Sequence, residues 1–391
     1  MTPGMDHDRD VLMARPETAC GCPIAESLQV EIDDQRAIDI VHRLVAVPSV
    51  SGCESDAVLT FVSAANELGL HAHIDQVGNG IAIRTGPSAA GPRREIVLLG
   101  HIDTVAGVIP VRIEHDVLFG RGSVDAKGPL AAMLVAAAVT ELPPGIDVRV
   151  CAAVGEETPS SPGARHLATA LRPAACIVGE PSGWDGVTLG YKGTLVLHAA
   201  AARANAHGAG PGESASDALH RWWQDVRRAV DEFNQGRAGV FDIIQATIRH
   251  MEACNDGLEE SAAITAAFRL PPWMNPHRLE DSIRRRTPVM IHLLAEGHER
   301  AIRTDRSDLV AQCLSAAIRA EGGRPHPKVK TGTADMNVVA PIWRCPIAAY
   351  GPGDSELDHT PSERLSLAEY LRSIRVLRSA LADLGSRLCE E

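Results

Sequence analysis

Four short apolar runs, at residues 96–99, 148–154, 176–178 and 347–350, alternate with helical periodicity, and each is followed closely by an aspartate, glutamate or histidine. Apolar runs this short, separated by helices, read as buried strands, and strand–helix alternation specifies an α/β domain with a largely parallel sheet. Apolar residues recur at i, i+3 and i+4 from about Gln35 and again over residues 54–68, which predicts two amphipathic helices. Residues 129–140 are apolar nearly all round, as a helix buried against the sheet would be. Gly86-Pro87 and Pro143-Pro144-Gly145 punctuate the connections.

The pattern changes after Gly193. Strand-like segments at 194–201, 241–250, 262–270 and 289–295 are interleaved with helical ones at 214–234, which contains Trp222 and Trp223, and at 275–286. The order β-α-β-β-α-β is that of a ferredoxin-like sandwich. Helical periodicity resumes at 307–320. The expected organisation is therefore one α/β domain from residues 35–193 and 301–391, with an α+β domain inserted at 194–300. Residues 1–34 carry acids, Pro and Gly but no apolar h-region, and are expected to be a loosely attached extension rather than a secretory leader.

Composition narrows the function. A net charge of −12 argues against nucleic acid as the main partner, because phosphate contacts need a basic surface. No run approaches the ~18 to 20 apolar residues of a membrane span. The nine cysteines show no paired spacing, which points to free thiols in a reducing cytoplasm. Cys20 and Cys22 have no nearby partners for a zinc site. Aromatics are only 3% of the chain, so the core must be aliphatic.

The acids and imidazoles stand where open α/β sheets bind ligands, just beyond the carboxyl ends of strands. His101 and Asp103 follow the run at 96–99. Asp125 lies in the glycine-rich loop Gly120 to Gly128, which lacks the Gly-Lys-Ser/Thr ending of a phosphate-binding loop. Glu156 and Glu157 follow Val154, Glu180 follows Gly179, and His359 follows the loop after Tyr350. Carboxylates and imidazoles suit zinc or a similar divalent ion. A carboxylate such as Asp125 can bridge two ions, Asp103 can orient the His101 imidazole, and one of the two glutamates can serve as general base. These residues predict a metal hydrolase.

Gly100-His101-Ile102-Asp103-Thr104-Val105, Gly120-Arg121-Gly122 with Asp125-Ala126-Lys127-Gly128, and Gly155-Glu156-Glu157 resemble the motifs of a family of dizinc hydrolases. It is the acetylornithine deacetylase, succinyl-diaminopimelate desuccinylase and carboxypeptidase family. The resemblance runs from about residue 36 onward and implies a zinc-peptidase-like catalytic domain with an inserted dimerisation, or lid, domain. It implies two zinc ions per subunit, with cobalt a substitute. His101 and Glu180 would hold one, Glu157 and His359 the other, and Asp125 would bridge them. Glu156 would be the general base. His207, in Ala206-His207-Gly208, would reach the partner's site in a homodimer, or is an ordinary surface residue. Arg269 would grip a substrate carboxylate, or pairs with a neighbouring acid.

A narrower resemblance lies in Gly179-Glu180-Pro181-Ser182-Gly183-Trp184, Gly190-Tyr191-Lys192-Gly193 and Lys330-Thr331-Gly332-Thr333-Ala334-Asp335-Met336-Asn337. These resemble the subgroup that releases lysine or ornithine from the C-terminal glutamate of an amino-group carrier protein. Tyr191, Lys192, Gly332, Thr333 and Asp335 are its candidate substrate contacts, although Tyr191 and Lys192 equally suit a linker strand and Asp335 a loop cap. Arg284-Arg285-Arg286 and Lys328-Val329-Lys330 are either solvated surface or a landing area for an acidic carrier. A deacylase for small N-acyl amino acids, and a metal-free binding relative, are the alternatives.

Overall fold

A computed structural model describes residues 32–207 and 212–390. The expected N-terminal extension, Cys20 and Cys22 included, lies almost wholly outside them. The first helix, Asp34–Ala46, opens at Asp33, whose carboxylate accepts the Arg36 N–H at 2.7 Å.

The four apolar runs become adjacent parallel strands, in the order Ile146–Ala153, Arg94–His101, Ala175–Gly179 and Ile347–Ala349. They form the middle of a nine-stranded sheet among the described residues. Antiparallel strands flank them: Gly80–Thr85 and His71–Ile74 on one side, Gly186–Tyr191 and Ile302–Arg303 on the other. His326–Lys330 also pairs with Gly186–Tyr191, in parallel. Central parallel strands are buried on both faces, which is why they read as apolar runs rather than as alternation. Ile96 and Leu98 join the core on one face, Val97 and Leu99 that on the other, as the two-residue period of a strand requires.

Helix Lys127–Val139 lies on the first face and is buried at twelve of its thirteen positions, covered in turn by Asp34–Ala46 and Leu367–Glu390. Gly128 permits its entry: a Cβ there would stand 2.3 Å from the Ser123 carbonyl oxygen, so only glycine lets the 120–128 loop close on the first turn. Helices Pro162–Ala170 and Asp335–Trp343 cover the opposite face. None of the helices among the described residues is long and apolar enough to cross a membrane.

Between Gly193 and Glu296 the chain builds a second, four-stranded antiparallel sheet, in the order Gln245–Asn255, Glu259–Leu270, Gly193–Ala204 and Ile291–Glu296. Placing the third strand in sequence between the first two is the split βαβ arrangement. Helices Ala215–Asn234 and Pro276–Arg286 pack on it around a separate core containing Leu195, Trp222, Ile264 and Phe268. The strand that is second in sequence runs Gln245–Asn255, not 241–250. The carbonyls of Val240 and Ile243 accept the buried Lys192 ammonium at 2.7 and 2.6 Å, so the chain is still turning where the apolar residues predict a strand. Lys192 is the only residue between the flanking strand Gly186–Tyr191 and the inserted strand Gly193–Ala204.

Candidate metal centre

Parallel pairing aligns the carboxyl ends of the central strands, with His101 opposite Ala153 and Gly100 opposite Gly179. His101, Glu156, Glu157 and Glu180 therefore emerge at one edge of the sheet. Asp125 reaches the same place from its loop and sets one carboxylate oxygen against each of two imidazoles. Its Oδ1 lies 3.1 Å from His101 Nε2, and its Oδ2 3.0 Å from His359 Nε2. His359 Nε2 also lies 2.9 Å from Glu157 Oε1. His359 sits in a left-handed backbone conformation, φ 61°, which residues with a Cβ seldom adopt and which recurs at functional sites.

Beneath these groups a fully buried Asp103 acts as a template. Its Oδ1 lies 3.5 Å from His101 Nδ1 and accepts the Glu156 N–H at 3.0 Å. Its Oδ2 accepts the Glu157 N–H at 3.0 Å and the Ser51 hydroxyl at 2.7 Å. Glu363, also fully buried, does the same for the Asp125 loop. Its Oε1 accepts the N–H groups of Val124 and Asp125 at 2.9 and 3.1 Å, while its Oε2 pairs with Arg121 at 2.7 Å.

The site concentrates negative charge. Burial pushes the Glu156 carboxyl well above its usual range, with Asp335, Glu180 and Glu157 adding to the effect, and pushes Glu180 up to about 7. Burial also works to raise Asp125, but hydrogen bonds from His101 and His359 outweigh it and hold that carboxyl low. The Asp125 and Glu157 carboxylates hold the His359 imidazolium up to about 10. Both Asp335 oxygens and Asp358 Oδ1 are buried without a hydrogen-bond partner. Carboxylates crowded this way need cations. Donor atoms of Asp125, Glu157 and His359 lie within 4.8 Å of one another, a set that can close on one divalent ion. The second Asp125 oxygen faces His101, and Glu180 lines the same cleft, so a second set of carboxylate and imidazole donors adjoins the first. The donor set fits a pair of divalent metals.

Residues 97–383 match peptidase family M20/M25/M40. The chain belongs to that family. It is 45% identical to a LysW-lysine hydrolase of Deinococcus radiodurans over 90% of this chain and 98% of that protein. It is 39% identical to a putative LysW-lysine/LysW-ornithine hydrolase of Thermococcus kodakarensis over 90% of this chain and 93% of that protein. Among solved structures, the M20 family metallo-carboxypeptidase Sso-CP2 of Sulfolobus solfataricus shares the fold. Its TM-score is 0.72 at 16% identity, covering 91% of this chain and all of that one (100%).

In this M20 chain the metal-centre groups open into a cleft of about 750 Å³ between the two sheets, lined by Asp125, Glu156, Glu157, Glu180 and His359 on the catalytic side. Tyr191, Arg269, Gly332 and Thr333 line it too. Arg269, half-buried, donates from Nη1 to Thr333 Oγ1 at 2.5 Å. The Tyr191 hydroxyl is buried without a partner, and Lys330 Nζ stands 5.9 Å from the centre of its ring. Three candidates lie elsewhere. Lys192 turns away to Val240, Ile243 and Gln245. Asp335 is buried at the start of helix Asp335–Trp343, without lining the cleft. His207 is exposed beyond the end of strand Gly193–Ala204, away from its own chain's cleft lining. Sequence reasoning missed Ser51 and Glu363, which act through hydrogen bonds across 52 and about 240 residues of chain, and Arg249 and Asp358, which line the cleft.

Proposed function

We propose that this chain hydrolyses the amide between the α-amine of lysine, ornithine or an analogue and the γ-carboxyl of a carrier protein's C-terminal glutamate. The observation that carries the reading is Asp125 set between His101 and His359, with Glu156 lining the same cleft. The names of the relatives, LysW-lysine and LysW-lysine/LysW-ornithine hydrolase, supply the substrate class. His101 and Glu180 would hold one zinc and Glu157 and His359 the other, with Asp125 between them and cobalt as a substitute. Bound there, the ions would supply Lewis acidity toward the amide carbonyl and acidify the attacking water.

The remaining work falls to side chains. Glu156 accepts a proton from the attacking water and passes it to the leaving α-amine, and burial favours its protonated form at the moment between. Asp103 keeps the Glu156 backbone and the His101 ring in place. Arg269, steadied by Thr333, binds the carboxylate of the released amino acid with its planar guanidinium. His207 completes the partner's site in a homodimer formed through residues 194–300, where it donates to the developing oxyanion. The exposed Arg284, Arg285 and Arg286 and the strand containing Lys328 and Lys330 offer an acidic carrier protein a basic approach. The setting is the cytoplasm, where such thiols stay reduced.

The test is to offer metal-loaded enzyme carrier-linked lysine, carrier-linked ornithine and N-acetylornithine. Release from the carrier should exceed deacetylation by orders of magnitude. Rapid release from N-acetylornithine alone would replace this reading with small-molecule deacylation.

A further inference from the structure

Strand Gln245–Asn255 pairs regularly with its neighbour through Ile248↔Ala266 and resumes at His250↔Thr265, so Arg249 is the extra residue of a β-bulge. Ala246 and Ile248 pack toward the helices of the inserted unit. Alternation turns Arg249 to the opposite face, where it lines the cleft with Thr194, Val196 and Arg269. Bulges beside ligand sites commonly re-aim one side chain. The Arg249 guanidinium makes no hydrogen bond or ion pair with any described residue. Its charge lies close enough to weaken the proton affinity of Arg269, which burial has already lowered. In the same lining, Lys330 acts on Glu180 and Asp358, and His359 pairs with Asp125 and Glu157. Among the described residues, Arg249 is thus a cleft cation with neither an ion pair nor a hydrogen-bond partner for its guanidinium.

We infer that Arg249 is a second carboxylate subsite, which takes the carboxylate on the acyl side of the scissile amide while Arg269 takes that of the released amino acid. The inference rests on the function proposed above. A γ-glutamyl amide of an α-amino acid carries one carboxylate on each side of the bond, and two guanidiniums facing one cleft match that pair. A guanidinium binds a carboxylate through parallel charge-assisted hydrogen bonds, which a deacylase for neutral acyl groups would not need.

The experiment compares N-α-glutaryl-lysine with N-α-butyryl-lysine, two substrates that differ by one carboxylate, using metal-loaded wild type, Arg249→Gln and Arg249→Lys. Wild type should favour the glutaryl compound in kcat/KM. Arg249→Gln should lower that ratio at least about tenfold, chiefly through KM, and Arg249→Lys should recover part of it. An unchanged ratio in Arg249→Gln overturns the subsite and leaves the proposed function standing. A wild-type enzyme that cleaves N-acetylornithine but no glutaryl or γ-glutamyl amide overturns both.

Discussion

A carboxylate that accepts two successive peptide N–H groups fixes the direction of the side chains they carry, and Asp103 does this for Glu156 and Glu157 while facing His101. The two glutamates thereby point differently although adjacent: Glu157 toward His359, Glu156 toward the space between the charged groups. Replacing Glu156 with Gln keeps size and backbone contacts but removes the proton acceptor. Turnover should fall by about 10²–10⁴-fold or more while bound metal stays at the wild-type level, read by steady-state kinetics with metal analysis on one preparation. His101, Glu156, Glu157 and Glu180 were candidates in the sequence because each closely follows an apolar run, and Asp125 and His359 because they lie in glycine-marked loops beyond strands. Ser51 and Glu363 were not, since they act through single hydrogen bonds to remote backbone groups and no local pattern marks them.

The strands differ in how openly the sequence shows them. The four central parallel strands are buried on both faces over most of their length and carry apolar runs, broken in Ile146–Ala153 only by Asp147 and Arg149. Gly186–Tyr191 is equally buried but contains Gly, Thr and Tyr, and His326–Lys330 is mostly exposed, so neither gives a strand signal. The junction between the sheets was hidden for another reason: it depends on one buried amide. Asn337 Nδ2 donates to the carbonyls of Lys192 and Arg300 at 3.1 and 2.8 Å, one on each chain crossing between the sheets. Asn337 Oδ1 accepts the Ala334 N–H at 3.0 Å. Asn337→Asp keeps that acceptor, loses both donors and sets a carboxylate against two buried carbonyls. It should cost about 1–3 kcal/mol or more in urea unfolding at neutral pH. A stability equal to wild type would show that the junction is held by other contacts.

At the scale of the whole molecule, the inserted sheet carries His207 away from its own cleft, so a role in catalysis requires a second copy. Mixing inactive His207→Ala with inactive Glu156→Gln should then restore up to about a quarter of wild-type activity, because each mixed dimer contains one site with Glu156 and a partner His207. No recovery on mixing, with dimers shown by light scattering, would remove His207 from the mechanism. The two-sheet architecture and the carboxyl-edge site both follow from strand alternation and were readable. Assembly was not, because it depends on surfaces that no buried pattern specifies. The most direct measurement is metal content by mass spectrometry on dialysed wild type and Asp125→Ala, with hydrolysis assayed on the same samples. Wild type should hold about two divalent ions per chain, and Asp125→Ala should lose both the ions and turnover. Full hydrolysis by metal-free wild type, or an Asp125→Ala protein that keeps both ions and its activity, would contradict the account.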